Sequence, residues 1–194
     1  MSYVFVLTFD PETERTIREI WQRISEKGYP SALDADGYRP HITLGVYDTT
    51  SFDLSTCRYA VRAYARSVKP FPIQIPHIGA FVDVRNVVFL GVTPSRELLK
   101  RHRDILKLCR HHASVLSPYY LPDRWTPHIT LSFDLTQDQS LGVLSLGWEM
   151  ALPIHGEVRS VQLIELDAAG AHNHLDYDFM ASSIQGVSSP NRPR

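Results

Sequence analysis

The pentapeptide Pro-His-Ile-Thr-Leu occurs twice in this chain, from Pro40 to Leu44 and again from Pro127 to Leu131. Each copy places a proton-transfer side chain two residues before a hydroxyl. In a β-strand, residues i and i+2 point to the same face. His41 and Thr43 are therefore expected to project together, with Ile42 and Leu44 buried behind them. His128 and Thr130 are expected to do the same. Two such strands side by side would turn two imidazoles and two hydroxyls toward one space, a set able to carry acid–base work on a phosphodiester.

The residues around each copy repeat as well. Tyr3 to Phe9 reads as a buried strand, and Pro11 opens a helix to about Lys27, with Ile17, Ile20, Trp21 and Ile24 at helical spacing. Gly28 and Pro30 end that helix. After the loop 31–38 come the strand His41–Tyr47 and a helix from Leu54 to Val68. Strands follow at Phe71–Ile75, Ile78–Val82 and Val87–Thr93, with a turn at Asp83–Asn86. The longest helix runs from Pro94 to about Leu116, with Leu98, Leu99, Ile105, Leu106 and Leu108 as its apolar stripe. Then come the strand His128–Phe133, a short helix after Thr136, and strands at Glu157–Asp167 and Asp176–Ala181. Each half thus reads strand, helix, motif strand, helix, strand, with the histidines 87 positions apart. That period is far too long for a solenoid. It predicts an α+β fold of two pseudo-symmetric antiparallel sheets, backed by helices around a central cleft. Residues 1–181 are read as one bilobal unit, and 182–194, rich in Ser, Gly, Pro and Asn, as a disordered tail.

Composition narrows the chemistry. The formal net charge is −1, so no global field draws the chain to nucleic acid or an anionic membrane. Anion binding must be local. Arginine outnumbers lysine 16 to 4, and its planar fork suits phosphate as well as surface ion pairs. Cys57 and Cys109 are too few for a disulfide framework, which points to a reduced, cytoplasmic setting. The N-terminal stretch does not read as a signal peptide, and no apolar run reaches membrane-spanning length. No Gly-x-x-x-x-Gly-Lys phosphate loop is present.

Other residues near the motifs are weaker candidates. Arg39 and Arg124 lie just upstream of the two histidines and could bind phosphate or substrate. Tyr47 and Phe133 lie six and five residues beyond them; they could form an aromatic wall for a base, with core packing the favoured reading. His77, in Pro-His-Ile-Gly, is read as a turn residue. His102, His111 and His112 are read as solvated or capping the long helix. His172 and His174 are read as loop residues, with no companion cluster of zinc spacing.

Paired His-x-Thr-Leu motifs, one per half, resemble the two-histidine (2H) phosphoesterase superfamily, which includes bacterial 2′-5′ RNA ligase/cyclic phosphodiesterase proteins and plant-type cyclic nucleotide phosphodiesterases. The segment Phe71-Pro72-Ile73-Gln74-Ile75, followed by Val87-Val88-Phe89-Leu90 and a helix, is also similar to the central region of that family. The resemblance covers roughly residues 3–181. It implies metal-independent phosphodiester chemistry without a cofactor, catalysed by His41 and His128, with Thr43 and Thr130 holding the phosphate. The implied partner is a nucleotide or RNA terminus bearing a 2′,3′-cyclic phosphate or a 2′-5′ linkage, handled by a monomer. Alternatives are reverse ligation, a non-catalytic nucleotide- or RNA-binding module of the same fold, and a metal-dependent hydrolase recruiting a carboxylate such as Asp48.

Overall fold

Strand β1 (Ser2–Phe9) is buried at every position from Val4 to Phe9, which requires cover on both faces of its sheet. The computed structural model, which describes residues 1–31, 38–48, 52–82, 85–109, 117–167 and 170–180, supplies that cover. Phe5, Leu7 and Phe9 face the main core. Val4 and Val6 join Ile164 in a small cluster on the opposite face, closed by Tyr38, Val46 and Leu166.

Helix α1 (Pro11–Glu26) starts where its sequence says it should. Asp10 caps it by accepting from the backbone N–H groups of Glu12 and Thr13, both at 3.0 Å. Pro11 fits the first turn, and Glu12 and Glu14 complement the helix dipole. The Asp10 cap also accepts from the Glu157 N–H at 2.8 Å, tying the helix start to the sheet. Ile17, Ile20, Trp21 and Ile24 bury one face, each worth on the order of 2 kcal/mol. Gly28, at φ 80°, ends the run in the left-handed region that glycine tolerates.

The remaining elements are β2 (Ile42–Asp48), α2 (Leu54–Ala65), β3 (Phe71–Ile75), β4 (His77–Phe81), β5 (Val87–Gly91), α3 (Arg96–Cys109), β6 (His128–Ser132), α4 (Gln137–Ser145), β7 (Ile154–Asp167) and β8 (Gly170–Asp178). Two antiparallel sheets result. In the larger, the order is β2-β1-β7, and the far edge of β7 is shared by β3 and β8. The smaller has the order β4-β5-β6. The series β2-β1-β7 is matched by β6-β5-β4, so the duplicated sequence yields duplicated sheet topology. β3 and β8 extend only the first sheet, and the lobes are unequal.

Several local expectations are corrected. His77 is in β4, not a turn, and His172 and His174 are in β8, not a loop. His172 pairs with Asp167 and His174 with Glu165, so both are held by the hairpin they belong to. His102 is buried on α3 at 2% exposure rather than solvated. Cys57 and Cys109 are buried free thiols with their sulfurs 4.0 Å apart. His111, His112, the last turns expected of α3, part of the turn at 83–86 and the tail 182–194 lie outside the described residues. Among the described residues, no helix is long and apolar enough to cross a membrane.

Candidate active site

Both motif strands are edge strands. β2 closes one side of the larger sheet, β6 closes one side of the smaller, and the two edges lie against each other. A sheet edge ordinarily carries unpaired backbone groups and is blunted by bulges or cover. Here each lobe covers the edge of the other. β2 and β6 also share a second feature. Thr43 is opposite Val6 and Gly45 opposite Phe5, which leaves Leu44 as an extra residue. Thr130 is opposite Phe89 and Ser132 opposite Val88, which leaves Leu131 as the extra residue. The bulge falls at the same motif position in both copies, and such bulges re-aim side chains next to functional sites.

The bulge decides which downstream aromatic reaches the cleft. Inserting one residue inverts the alternation of faces. Beyond Leu44, Gly45 and Tyr47 turn into the core. Tyr47 is 0% exposed and packs edge-on against Phe5, which is the core packing expected of it rather than a place in a substrate wall. Beyond Leu131, Ser132 turns inward and Phe133 reaches the cavity.

That cavity, of about 660 Å³, lies between the lobes. His41, His128, Thr130, Arg124 and Phe133 line it, together with Tyr38, Phe81, Arg85, Tyr119, Tyr120 and Trp125. Thr43 is half-buried beside it rather than on its wall, with its hydroxyl bonded to the Tyr120 phenol. Arg39 lies apart from the main cavity. It borders a small neighbouring hollow and is committed to Glu14 at 2.6 Å and Asp176 at 3.3 Å. Those two carboxylates neutralise the guanidinium expected to meet phosphate.

The two imidazoles are oriented identically. His41 Nδ1 donates to the Arg39 carbonyl and His128 Nδ1 to the Thr126 carbonyl, each at 2.7 Å. A carbonyl only accepts, so Nδ1 carries the proton in both rings and Nε2 is left for proton transfer. Their flanks differ. His41 stacks on Tyr38 at 5.9 Å, whereas His128 meets Phe81 edge-on at 4.9 Å and Phe89 at 5.3 Å. Gly91 is the cross-strand partner of both His77 and His128. A Cβ there would come within 2.1 Å of the His77 ring, so any larger residue would push the exposed His77 side chain aside. Arg85 lies over Phe133 at 4.7 Å and bonds Asp134 through both nitrogens, at 2.8 and 2.7 Å.

Burial holds the His41 pKa below the ordinary histidine value. The Arg39 carbonyl opposes this, and positive charge on His128 adds to it. Burial likewise lowers His128, opposed by the Thr126 carbonyl. The two rings feel each other, so the site favours carrying one proton rather than two.

Sequence reasoning overlooked Trp125, Tyr120 and Phe81. The first signal was available: Trp125 stands three residues before His128, in the segment that orients it. Tyr38 and Phe81 reach the cavity by long-range folding and carried no local sign.

Comparison with known proteins agrees with this geometry. Residues 9–170 match the 2′-5′ RNA ligase superfamily. A candidate phosphoesterase of Bacillus pumilus is 27% identical over 108 residues, which is 54% of this chain and 58% of that protein. One from Bacillus licheniformis is 26% identical over a similar stretch, 59% of its length. The match thus spans less than two thirds of these relatives. TT0787 of Thermus thermophilus superposes with a TM-score of 0.62 at 15% identity, covering 94% of this chain and 100% of that one. LigT of Escherichia coli superposes at 0.58 with 16% identity, over 92% and 96%. With a family match across most of its length and the same two-lobed fold, the chain belongs to the 2′-5′ RNA ligase superfamily of two-histidine phosphoesterases.

Proposed function

We propose that this chain is a metal-independent phosphodiesterase, acting on RNA-type 2′,3′-cyclic phosphates or 2′-5′ phosphodiester bonds by paired action of His41 and His128. The observation that carries this reading is the matched pair of imidazoles on one cavity, each locked by its Nδ1–H so that Nε2 is the remaining proton-transfer atom. One neutral Nε2 takes a proton from the attacking water as its oxygen bonds to phosphorus. The other, protonated, gives its proton to the ribose oxygen as that phosphorus–oxygen bond breaks. Thr130 donates to the non-bridging oxygens, where negative charge builds, and Thr43 joins it when its hydroxyl turns from Tyr120 to the phosphate. Arg124 and Phe133 line the same cavity and serve the remainder of the nucleotide. Run in reverse, with a 5′-hydroxyl in place of water, the same groups join ends.

Escherichia coli LigT has been crystallised with ATP, with 3′-AMP and with phosphate, which supports a nucleotide-bearing substrate here. The metal alternative is disfavoured by strand geometry. Asp48 pairs with Ser2 while Ile42 pairs with Leu7, so the carboxylate is at the far end of β2 from His41. Seven residues of strand span about 20 Å, far outside one coordination shell.

The deciding experiment is a substrate panel of nucleoside 2′,3′-cyclic phosphates and 2′-5′ dinucleotides, with product phosphate position recorded before and after exhaustive chelation. Turnover unaffected by EDTA is expected. Nucleotide binding without turnover would reduce the chain to a binding module, and loss with EDTA followed by rescue with a divalent ion would overturn the two-histidine scheme.

A further inference from the structure

α3 carries Leu98, His102, Ile105 and Cys109 on its buried face, and one of these four is a histidine. A hydrocarbon at His102 would fill the space without the cost of burying a polar ring. The imidazole has specific partners instead. Its Nε2–H donates to the Tyr120 carbonyl at 2.8 Å, and its plane lies on the Trp125 indole at 4.0 Å and 10°. The bulge of the first motif is at Leu44, the residue after Thr43. Both principal partners then act on the residue before that bulge. Trp125 Nε1 donates to the Thr43 carbonyl at 3.0 Å, and the Tyr120 phenol bonds the Thr43 hydroxyl. One step further along the chain, the Thr126 carbonyl is the acceptor that orients His128. The segment from Trp125 to Thr126 therefore grips the first motif with one residue and the second with the next.

We propose that His102 is a positioning residue of the active site: by stacking on Trp125 and bonding Tyr120, it clamps the segment that sets Thr43 and the first motif strand against the second. Its role rests on the two-histidine reading above, and its chemistry is indirect. The ring is 2% exposed and is not part of the cavity wall. It supplies a flat face for the indole and an N–H for the carbonyl at once, a combination that Phe and Gln each provide only in part. Proton transfer between a substrate and imidazoles held in place tolerates little displacement, and misplacement on the scale of 1 Å can cost about 100-fold. A clamp on the only described segment that touches both motifs by hydrogen bonds is placed to control that distance.

Two variants of the full chain separate positioning from packing. His102→Phe keeps the stack and removes the donor; His102→Gln keeps a donor near Nε2. With a nucleoside 2′,3′-cyclic phosphate as substrate, and rates corrected for folded fraction by circular dichroism, His102→Phe should lower kcat at least about tenfold with KM changed less than about threefold. His102→Gln should recover most of that loss. A kcat per folded molecule within about twofold of wild type in His102→Phe, or losses in both variants accounted for entirely by unfolded protein, would make His102 a core residue only and overturn the proposal. A second readout needs no turnover. In ¹H–¹⁵N spectra, His102→Phe should shift the amides of His41–Gly45 and move the His41 ring titration, while those of Leu131 and Ser132 stay in place. An unshifted first motif overturns the clamp even in an active enzyme. Absence of turnover in the wild-type chain, with the shifts present, strikes the functional reading and leaves the clamp standing.

Discussion

At the scale of single residues, the Nδ1–carbonyl bonds of His41 and His128 choose the tautomer and so leave Nε2 of each ring for the proposed chemistry. His41→Ala and His128→Ala should each reduce kcat by about 10²–10⁴, and the double variant should be little worse than either, since the pair acts as a unit. Strictly multiplicative losses in steady-state rates would show independent action. The pH dependence follows from the same two rings. Both pKa values are held below the ordinary histidine value of about 6.5 by burial. The bell of kcat/KM, which reports the free enzyme, should therefore be displaced to the acid side of that value. The bound phosphodiester is an anion that stabilises imidazolium, so the kcat profile should lie at higher pH than the kcat/KM profile. Activity still climbing above about pH 9 would mean that hydroxide, not an imidazole-activated water, is the nucleophile. The candidate histidines and threonines stand out in the sequence because they recur in an identical string. Tyr47 falls in the core because the residue inserted at Leu44 inverts the alternation of faces. Phe133 reaches the cavity five residues beyond His128 for the same reason.

At the scale of elements, most of the strands and helices were readable from periodicity and caps. β3 begins and ends at the expected residues, Phe71 and Ile75. The start of α1 at Pro11 follows from Asp10 and the proline after it. The Asp10 carboxyl is partly desolvated, yet hydrogen bonds from Thr13, Glu157 and Glu12 hold its pKa below the usual carboxylate value. Asp10→Ala should cost about 1–3 kcal/mol, since it removes a helix cap and leaves the Glu157 N–H without its side-chain partner. Urea unfolding with an unchanged m-value would measure this, and a cost under about 0.3 kcal/mol would show that water replaces the cap. The β8 hairpin was half missed, because His172, Asn173 and His174 are poor strand formers by composition. Their register is imposed by pairing with β7, and tertiary pairing overrides weak local preference.

At the scale of the whole molecule, three buried or half-buried histidines, His41, His102 and His128, all have pKa values lowered chiefly by burial. The sign of the linkage is fixed: as pH falls below about 6.5, the unfolded chain takes up these protons and the folded chain resists, so stability must decrease. Denaturation midpoints should therefore fall between pH 7.5 and 5.5, before carboxylates begin to titrate, and His102→Phe should flatten part of that slope. A midpoint constant across this interval would contradict the burial of the three rings.

By itself, the sequence determined that there are two equivalent motif strands, each carrying an imidazole and a hydroxyl two residues apart, and that helices back two antiparallel sheets. These follow from local spacing, and local spacing survives in any context. Only the tertiary structure decided that the motif strands are edges of separate sheets rather than neighbours at the centre of one, and that each is bulged at its leucine. It also decided that Arg39 is spent on Glu14 and Asp176, and that Trp125 and His102 stand behind Thr43. Those outcomes depend on which residues distant in the chain meet in space, and periodicity carries no record of that.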